Sequence, residues 1–163
     1  VHEDHASEQY FFDPPTVAQL AVLLERYPRP CCLCAPKVAA ELEHRGRDVL
    51  LLERDARFAW LRGFRTWDLY RPAPLRERPD VFLVDPPFTK VSLSQLFTAL
   101  RVATGGDFAR PLFVCHLADR ADDVVGALAP FGLRATSFEC GYVSVRPIPE
   151  HRVLLYTNVV DPP

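Results

Sequence analysis

Short apolar runs alternate with amphipathic stretches from residue 14 to residue 128, and this alternation limits the fold more than any other feature. Cys31–Cys34, Val49–Leu52, Val81–Val84 and Leu112–His116 are apolar at nearly every consecutive position. A strand apolar on successive residues is buried on both faces, as parallel strands covered by helices are. The stretches between them carry helix signals. Asp13 before Pro14 predicts a helix start, and Val17, Leu20, Ala21 and Leu24 continue it at helical spacing. Pro36 opens a second helix from Val38 to about His44, stopped by Gly46. Ser92 with Gln95 three residues later predicts a capping box for a helix over Leu93–Val102, closed by Gly105-Gly106. Asp119 opens a helix through Val124, Val125 and Leu128, ended by Pro130. A helical turn over Phe58–Leu61 precedes a more polar strand at Arg65–Leu69. Such strand–helix–strand crossovers predict an α/β fold, with a mostly parallel sheet between helices on both faces. The tail predicts strands near Leu133–Phe138, Tyr142–Val145 and Arg152–Thr157 with no helix between them, hence an antiparallel edge pair.

The 163 residues predict a single domain over 1–163. With 48% apolar and 25% charged residues the chain is neither disordered, collagen-like nor a coiled coil. No apolar run approaches the ~20 residues of a membrane span. No charged and apolar leader opens the sequence, so the expected location is the cytoplasm, or the nucleus or nucleolus in a eukaryote. The net charge of −2 argues mildly against binding nucleic acid by bulk electrostatics. Seventeen arginines stand against two lysines, and seven of them fall between Arg54 and Arg78. Guanidinium suits phosphate, so this run reads either as a phosphate-facing patch or as Arg written for Lys in a GC-rich genome. The five cysteines make a poor disulfide framework. Cys31 and Cys34 form a C-x-x-C, but within a strand they point to opposite faces, so buried free thiols are expected and no metal.

In parallel α/β sheets ligands bind beyond the carboxyl ends of the strands, at the point where strand order reverses. Four strand ends are therefore candidates: Cys34-Ala35-Pro36, Glu53-Arg54-Asp55, Asp68-Leu69 and Asp85-Pro86-Pro87-Phe88. The last resembles the motif of amino-group methyltransferases that use S-adenosylmethionine. An exocyclic base amine is conjugated and weakly nucleophilic, so its lone pair must be turned out of the ring plane. Asp85 and the Pro86 carbonyl can accept its two N–H bonds, and consecutive prolines stiffen the turn that aims the carbonyl. The ring of Phe88 can stack on a planar base. Glu53 can accept from both ribose hydroxyls, with Asp55 the second choice, and Asp68 can meet an adenine amino group. The first strand lacks G-x-G-x-x-G, although the small Ala35 still permits close backbone approach.

The order and spacing of several motifs resemble the N6-adenine-methyltransferase-like family. That family has a zinc-finger CCHC ribosomal RNA adenine branch and an elongation factor 1-alpha lysine branch. Gln9-Tyr10-Phe11-Phe12-Asp13 is similar to its opening segment, Cys32-Leu33-Cys34-Ala35-Pro36 to its glycine-poor first loop, and Glu53-Arg54-Asp55-Ala56-Arg57-Phe58 to its second strand end. Asp85-Pro86-Pro87-Phe88 is similar to its catalytic motif, and Arg152 to Asn158 to its closing strand. The resemblance implies a seven-stranded Rossmann-like class I methyltransferase that binds S-adenosylmethionine. It also implies an N-terminal segment, 1–13, that covers the cofactor, which makes Gln9, Tyr10 and Phe11 site residues.

Phe at position 88 resembles the RNA adenine branch, where the lysine branch tends to have Tyr. The family's zinc-binding cysteine cluster is absent, which leaves RNA recognition to a separate domain or partner protein. The expected function is N6-adenine methylation of RNA, ribosomal RNA first. Phe88, Lys90 and Arg57 would face the substrate, and Arg54 to Arg78 its phosphates. Two alternatives are lysine methylation of a protein and a non-catalytic partner module. RNA action predicts a basic rim around Phe88, and lysine action a narrow acidic or aromatic channel.

Overall fold

The computed structural model describes residues 1–160 of the chain, so 161–163 of the expected domain lie outside it. One sheet has seven strands: β1 (Pro30–Leu33), β2 (Leu50–Glu53), β3 (Phe64–Thr66), β4 (Val81–Val84), β5 (Leu112–Leu117), β6 (Arg134–Glu139) and β7 (Val153–Thr157). Four helices accompany them: α1 (Pro14–Leu24), α2 (Pro36–His44), α3 (Leu93–Ala103) and α4 (Ala121–Ala127). The strand order is β3-β2-β1-β4-β5-β7-β6. β3, β2, β1, β4 and β5 pair in parallel, while β7 runs antiparallel to both β5 and β6. This is the class I methyltransferase arrangement, mostly parallel with an antiparallel edge as expected.

Strand alternation sorts the core into two layers. Cys32, Leu51, Leu83 and Phe113 pack with Leu20 and Leu24 of α1 and with Val38 and Leu42 of α2. Cys31, Leu52, Phe82 and Val114 pack on the other face with Leu96 and Leu100 of α3 and Val124 of α4. Each fully buried Leu or Phe contributes about 1.5–3 kcal/mol over its exposed state. The starts of α1 and α3 form as their sequences predict, whereas α4 begins at Ala121 after a 3-10 turn over Ala118–Arg120, with no side-chain cap from Asp119. The Asp13 carboxylate accepts from the Thr16 N–H at 3.0 Å ahead of α1, and Ser92 and Gln95 exchange both capping-box bonds ahead of α3.

Three sequence expectations are corrected. β3 is shorter than Arg65–Leu69, because after Thr66 the chain leaves the sheet edge and Trp67 turns into the core, its indole N–H donating to the Ala73 carbonyl at 2.9 Å. Tyr142–Val145 forms no strand. Only Tyr142 pairs, in a bridge to Phe12, because the chain turns at Val143 and Ser144 immediately after it. The alternation expected to carry Cys31 and Cys34 to opposite faces ends at Leu33. Cys34 lies beyond the strand with φ +59°, and it packs against the same layer as Cys31.

Candidate active site

β1 and β4 are neighbours, but the helices that follow them, α2 and α3, cover opposite faces. Their connections part above the carboxyl ends and open a crevice. A cavity of about 820 Å³ lies there. That is within the roughly 300–1,000 Å³ of small-molecule sites. Its walls bring together Gln9, Tyr10, Phe11, Cys34, Pro36, Glu53, Asp55, Asp68, Leu69, the whole run Asp85 to Phe88, Arg57 and Lys90. Ala35 is the one expected site residue that does not line it, being buried behind Cys34 at the start of α2.

The N-terminal segment roofs the cavity and is tied down on both sides. Gln9 donates to the Asp55 carboxylate at 2.9 Å, and Arg57 grips Asp55 while reaching the Gln9 amide oxygen and the His2 carbonyl. On the other side Glu8 accepts from the Thr89 N–H and hydroxyl and from the Lys90 N–H. Glu3 holds the Phe11 N–H at 2.6 Å and the Ser144 hydroxyl. Tyr10 stacks on His5 at 4.8 Å, and Phe11 meets Phe58 edge-on beneath the Lys37 ammonium.

Asp85 follows β4 directly and is half-buried on the floor. Its backbone N–H donates to the Leu33 carbonyl, which continues the pairing with β1 past the strand end. The Tyr142 hydroxyl donates to Asp85 Oδ1 at 2.8 Å, leaving Oδ2 for a ligand. Burial pushes the Asp85 carboxyl well above the usual carboxylate range, the Tyr142 hydrogen bond opposes this, and the Glu53 charge adds to it. Tyr142 was read as a strand residue. No sequence signal marks it, because its place depends on Gly141. The Asp13 N–H donates to the Gly141 carbonyl, and the Gly141 N–H to the Thr16 hydroxyl. A Cβ on Gly141 would stand 2.1 Å from Asp13 Oδ2, so any larger residue there must displace the Asp13 carboxylate.

Phe88 leans on His116 of β5 at 5.1 Å and meets Tyr142 edge-on at 6.3 Å. His116 is fully buried. Its Nδ1 accepts the Leu117 N–H at 2.9 Å, which assigns the ring proton to Nε2, and Nε2 has no partner among the described residues. Burial drives its pKa down to about 4, the Arg120 charge helping. The ring is therefore a neutral support beneath Phe88.

Glu53 ends β2. Its Oε1 accepts the N–H groups of Arg54 and Asp55, both at 3.1 Å, and Oε2 has no protein partner among the described residues. Burial raises its pKa, the two backbone donors opposing. Asp55, the second choice for ribose, is committed elsewhere: Arg57 at 2.7 Å, then Gln9, hold its pKa down at about 2. The same clamp takes Arg57, which was expected at the substrate. Asp68 accepts the Tyr70 N–H at 2.9 Å, and the Tyr70 hydroxyl donates to the Lys90 carbonyl at 2.7 Å. The arginine run also divides. Arg54 and Arg57 line the cavity, but Arg62, Arg65 and Arg78 line a second groove at the opposite, amino ends of β1 and β2, Arg62 near Glu43 and Arg65 near Glu77. They lie there because each parallel crossover must carry the chain back to the start of the sheet: the β2–β3 connection brings Arg62 and Arg65, and the β3–β4 connection brings Arg78.

The cavity wall holds seven acids (Glu3, Asp4, Glu8, Glu53, Asp55, Asp68, Asp85) against Arg54, Arg57 and Lys90. Such a wall suits a ligand carrying positive charge. No group of three His, Cys, Asp or Glu side chains among the described residues is placed to hold a metal. No helix there is long and apolar enough to cross a membrane.

A family model described as probable N6-adenine methyltransferase matches residues 3–159. No curated protein matches the chain. Among solved structures, the mitomycin 7-O-methyltransferase MmcR is similar at 14% identity and a TM-score of 0.57, over 89% of this chain and 53% of that one. This chain thus spans about half of that enzyme's length. The putative RNA methyltransferase PH1948 from Pyrococcus horikoshii is similar at 15% identity and a TM-score of 0.59, over 98% of this chain and 91% of that one. Magnesium protoporphyrin IX methyltransferase from Synechocystis PCC 6803, solved with bound SAM, is similar at 16% identity and 0.57, over 89% and 79%. At these identities the likeness speaks for the fold.

Proposed function

The chain belongs to the family of probable N6-adenine methyltransferases, and from that premise we propose that it methylates the N6 amine of adenine in RNA, ribosomal RNA first. The observation that carries this reading is the placement of Asp85-Pro86-Pro87-Phe88 at the switch point, with one Asp85 oxygen held by Tyr142 and the other without a partner among the described residues.

S-adenosylmethionine is the cofactor, and the cavity residues fit it. Glu53 Oε2 is an unpaired acceptor where ribose hydroxyls would lie, and the acidic wall suits a sulfonium. Cys34 and Pro36, with Ala35 behind them, line the cavity at the first turn, and Asp68 and Leu69 would hold the cofactor's adenine. Segment 1–13, through Gln9, Tyr10 and Phe11, would cover the cofactor within a single domain, with Gln9 anchored by Asp55. When bound, the cofactor supplies an electrophilic methyl group.

The protein's own residues prepare the nucleophile. Asp85 Oδ2 accepts one N6–H and the Pro86 carbonyl the other, which turns the lone pair out of the ring plane. Phe88 stacks the base, braced by His116 and Tyr142. As the nitrogen gains positive charge, the Asp85 carboxylate stabilises it and accepts the departing proton at Oδ2. Lys90 lies at the mouth for a phosphate.

One observation favours a second reading. The rim beside Phe88 is aromatic and partly acidic, with Tyr142, Tyr70 and Glu8. That rim resembles the channel expected for a lysine side chain. Transfer of labelled methyl into total RNA and, in parallel, total protein separates the two. The expected result is label in RNA as N6-methyladenosine, lost in Asp85→Ala while cofactor binding persists. Label confined to protein establishes the lysine reading, and full activity of Asp85→Ala refutes the role of Asp85.

A further inference from the structure

We infer that the Thr89–Lys90 turn is the seat of a substrate phosphate, and that Glu8 fills this seat until a polynucleotide displaces it. The inference rests on the reading that adenine stacks on Phe88, and it names the contact made by the neighbouring phosphodiester. Three donors converge on one point: the Thr89 N–H at 3.2 Å, the Thr89 hydroxyl at 2.6 Å and the Lys90 N–H at 2.5 Å from Glu8 Oε1. Converging backbone N–H groups beside a hydroxyl make an anion site. Its present occupant is an anion from 81 residues away in sequence.

The turn does not need Glu8 to hold its shape. The Tyr70 hydroxyl secures the Lys90 carbonyl at 2.7 Å, and the α3 capping box begins at Ser92. The donors are therefore preorganised. Glu8, by contrast, is held in a costly conformation. It and Cys34 are the two non-glycine residues with positive φ among the described residues, Glu8 at +54°. The Lys90 ammonium forms no ion pair among the described residues, so Glu8 uses the neutral donors and leaves the charge beside them unused. A phosphodiester has two charged oxygens and can take the N–H groups and the ammonium together. Thr89 and Lys90 are exposed and Phe88 is half-buried, so a base entering toward Asp85 leaves its backbone at this turn. The acidic rim beside Phe88 is then a property of the closed form, because displacing Glu8 exposes a basic seat.

The test measures binding of a fluorescein-labelled single-stranded eight-residue oligoadenylate to the cofactor-saturated protein over a range of salt. Glu8→Ala is expected to tighten binding roughly tenfold, as an occupied seat is freed. It should also steepen the plot of log K against log salt by about 0.7, the increment for one added phosphate contact on a single strand. Lys90→Ala in the Glu8→Ala background should remove both gains, and an oligomer with neutral methylphosphonate linkages should show neither. Unchanged affinity and slope in Glu8→Ala, with adenosine still competing, overturns the seat and leaves the adenine reading standing. Gains in Glu8→Ala without competition by adenosine leave the seat standing and overturn the adenine reading. Weakened binding of a lysine-containing peptide in Glu8→Ala, with no gain for RNA, overturns both.

Discussion

Replacing Tyr142 with phenylalanine removes one hydroxyl from the site and keeps the ring that packs 5.1 Å from Phe12 and 6.3 Å from Phe88. The lost group is the donor to Asp85 Oδ1 at 2.8 Å. Burial and the Glu53 charge already hold the Asp85 carboxyl above its ordinary range, and this hydrogen bond is what opposes them. A hydrogen bond to a charged group contributes about 1.5–3 kcal/mol, so its loss lowers the ionised fraction of Asp85 about ten- to a hundredfold wherever the carboxyl is mostly protonated. On the proposed mechanism, only the carboxylate can accept N6–H through either oxygen and stabilise the cationic nitrogen. The rate should therefore rise with pH as Asp85 ionises, and Tyr142→Phe should move that rise to higher pH. Single-turnover methyl transfer into oligoadenylate, followed from pH 5 to 9, reads the effect. The variant should be about ten- to a hundredfold slower on the acidic side and should approach the unsubstituted rate on the alkaline plateau. Superimposable profiles would refute the argument that Tyr142 acts through the charge of Asp85. A uniform loss at every pH would instead mean that the hydroxyl positions the base.

The remaining predictions concern other parts of the same cleft. Glu53→Gln should weaken S-adenosylmethionine binding about ten- to a hundredfold by calorimetry, since a charged acceptor at the ribose is replaced by a neutral one; an unchanged dissociation constant would move that role elsewhere. His116 is buried neutral with its pKa lowered to about 4, so its contribution to stability is complete above pH 6.5 and is lost as pH falls toward 4. Urea unfolding should show a slope of at most about 1.4 kcal/mol per pH unit in that window, flattened by His116→Phe; an equal slope in both proteins would assign the acid sensitivity to other groups. Gly141→Ala puts a Cβ 2.1 Å from Asp13 Oδ2 and should displace the cap of α1. The expected loss is about 1 kcal/mol, or roughly 2–4 °C in Tm, together with a lower kcat as Tyr142 shifts from Asp85; calorimetric melting and turnover check both.

Much of this was legible in one dimension. Val81–Val84 could only be a central strand, because an uninterrupted apolar run needs cover on both faces. Asp13, Ser92 and Gln95 announced their helices through contacts three residues long, and local contacts survive in any tertiary setting. Asp85 to Phe88 drew attention through its position: Asp and Pro are ordinary turn residues, but here they follow the fourth strand of a parallel series, where ligands bind.

Other residues could not be read this way, because their roles are made by partners far along the chain. Asp55 stands two residues from Glu53 and reads as the second choice for ribose. The difference is Arg57 and Gln9, which occupy Asp55 and leave Glu53 Oε2 open. Whether Arg54 to Arg78 form one patch is not decided by their clustering in sequence; the two crossovers flanking β3 send Arg62, Arg65 and Arg78 to the far end of the sheet. Tyr142 and Glu8 carried no signal, since a tyrosine before a turn and an acid in a polar leader are ordinary.

The sequence by itself determined the alternation of strands and helices, the strand that ends in Asp85-Pro86-Pro87-Phe88 and the acids available at the strand ends. These follow from period, capping and composition, which act over a few residues. Tertiary structure alone decided which acid stays free, which tyrosine reaches Asp85 across 57 residues and which carboxylate closes the turn beyond Phe88. Such pairings depend on the strand order β3-β2-β1-β4-β5-β7-β6, which folds distant segments onto one crevice, and no local pattern encodes that juxtaposition.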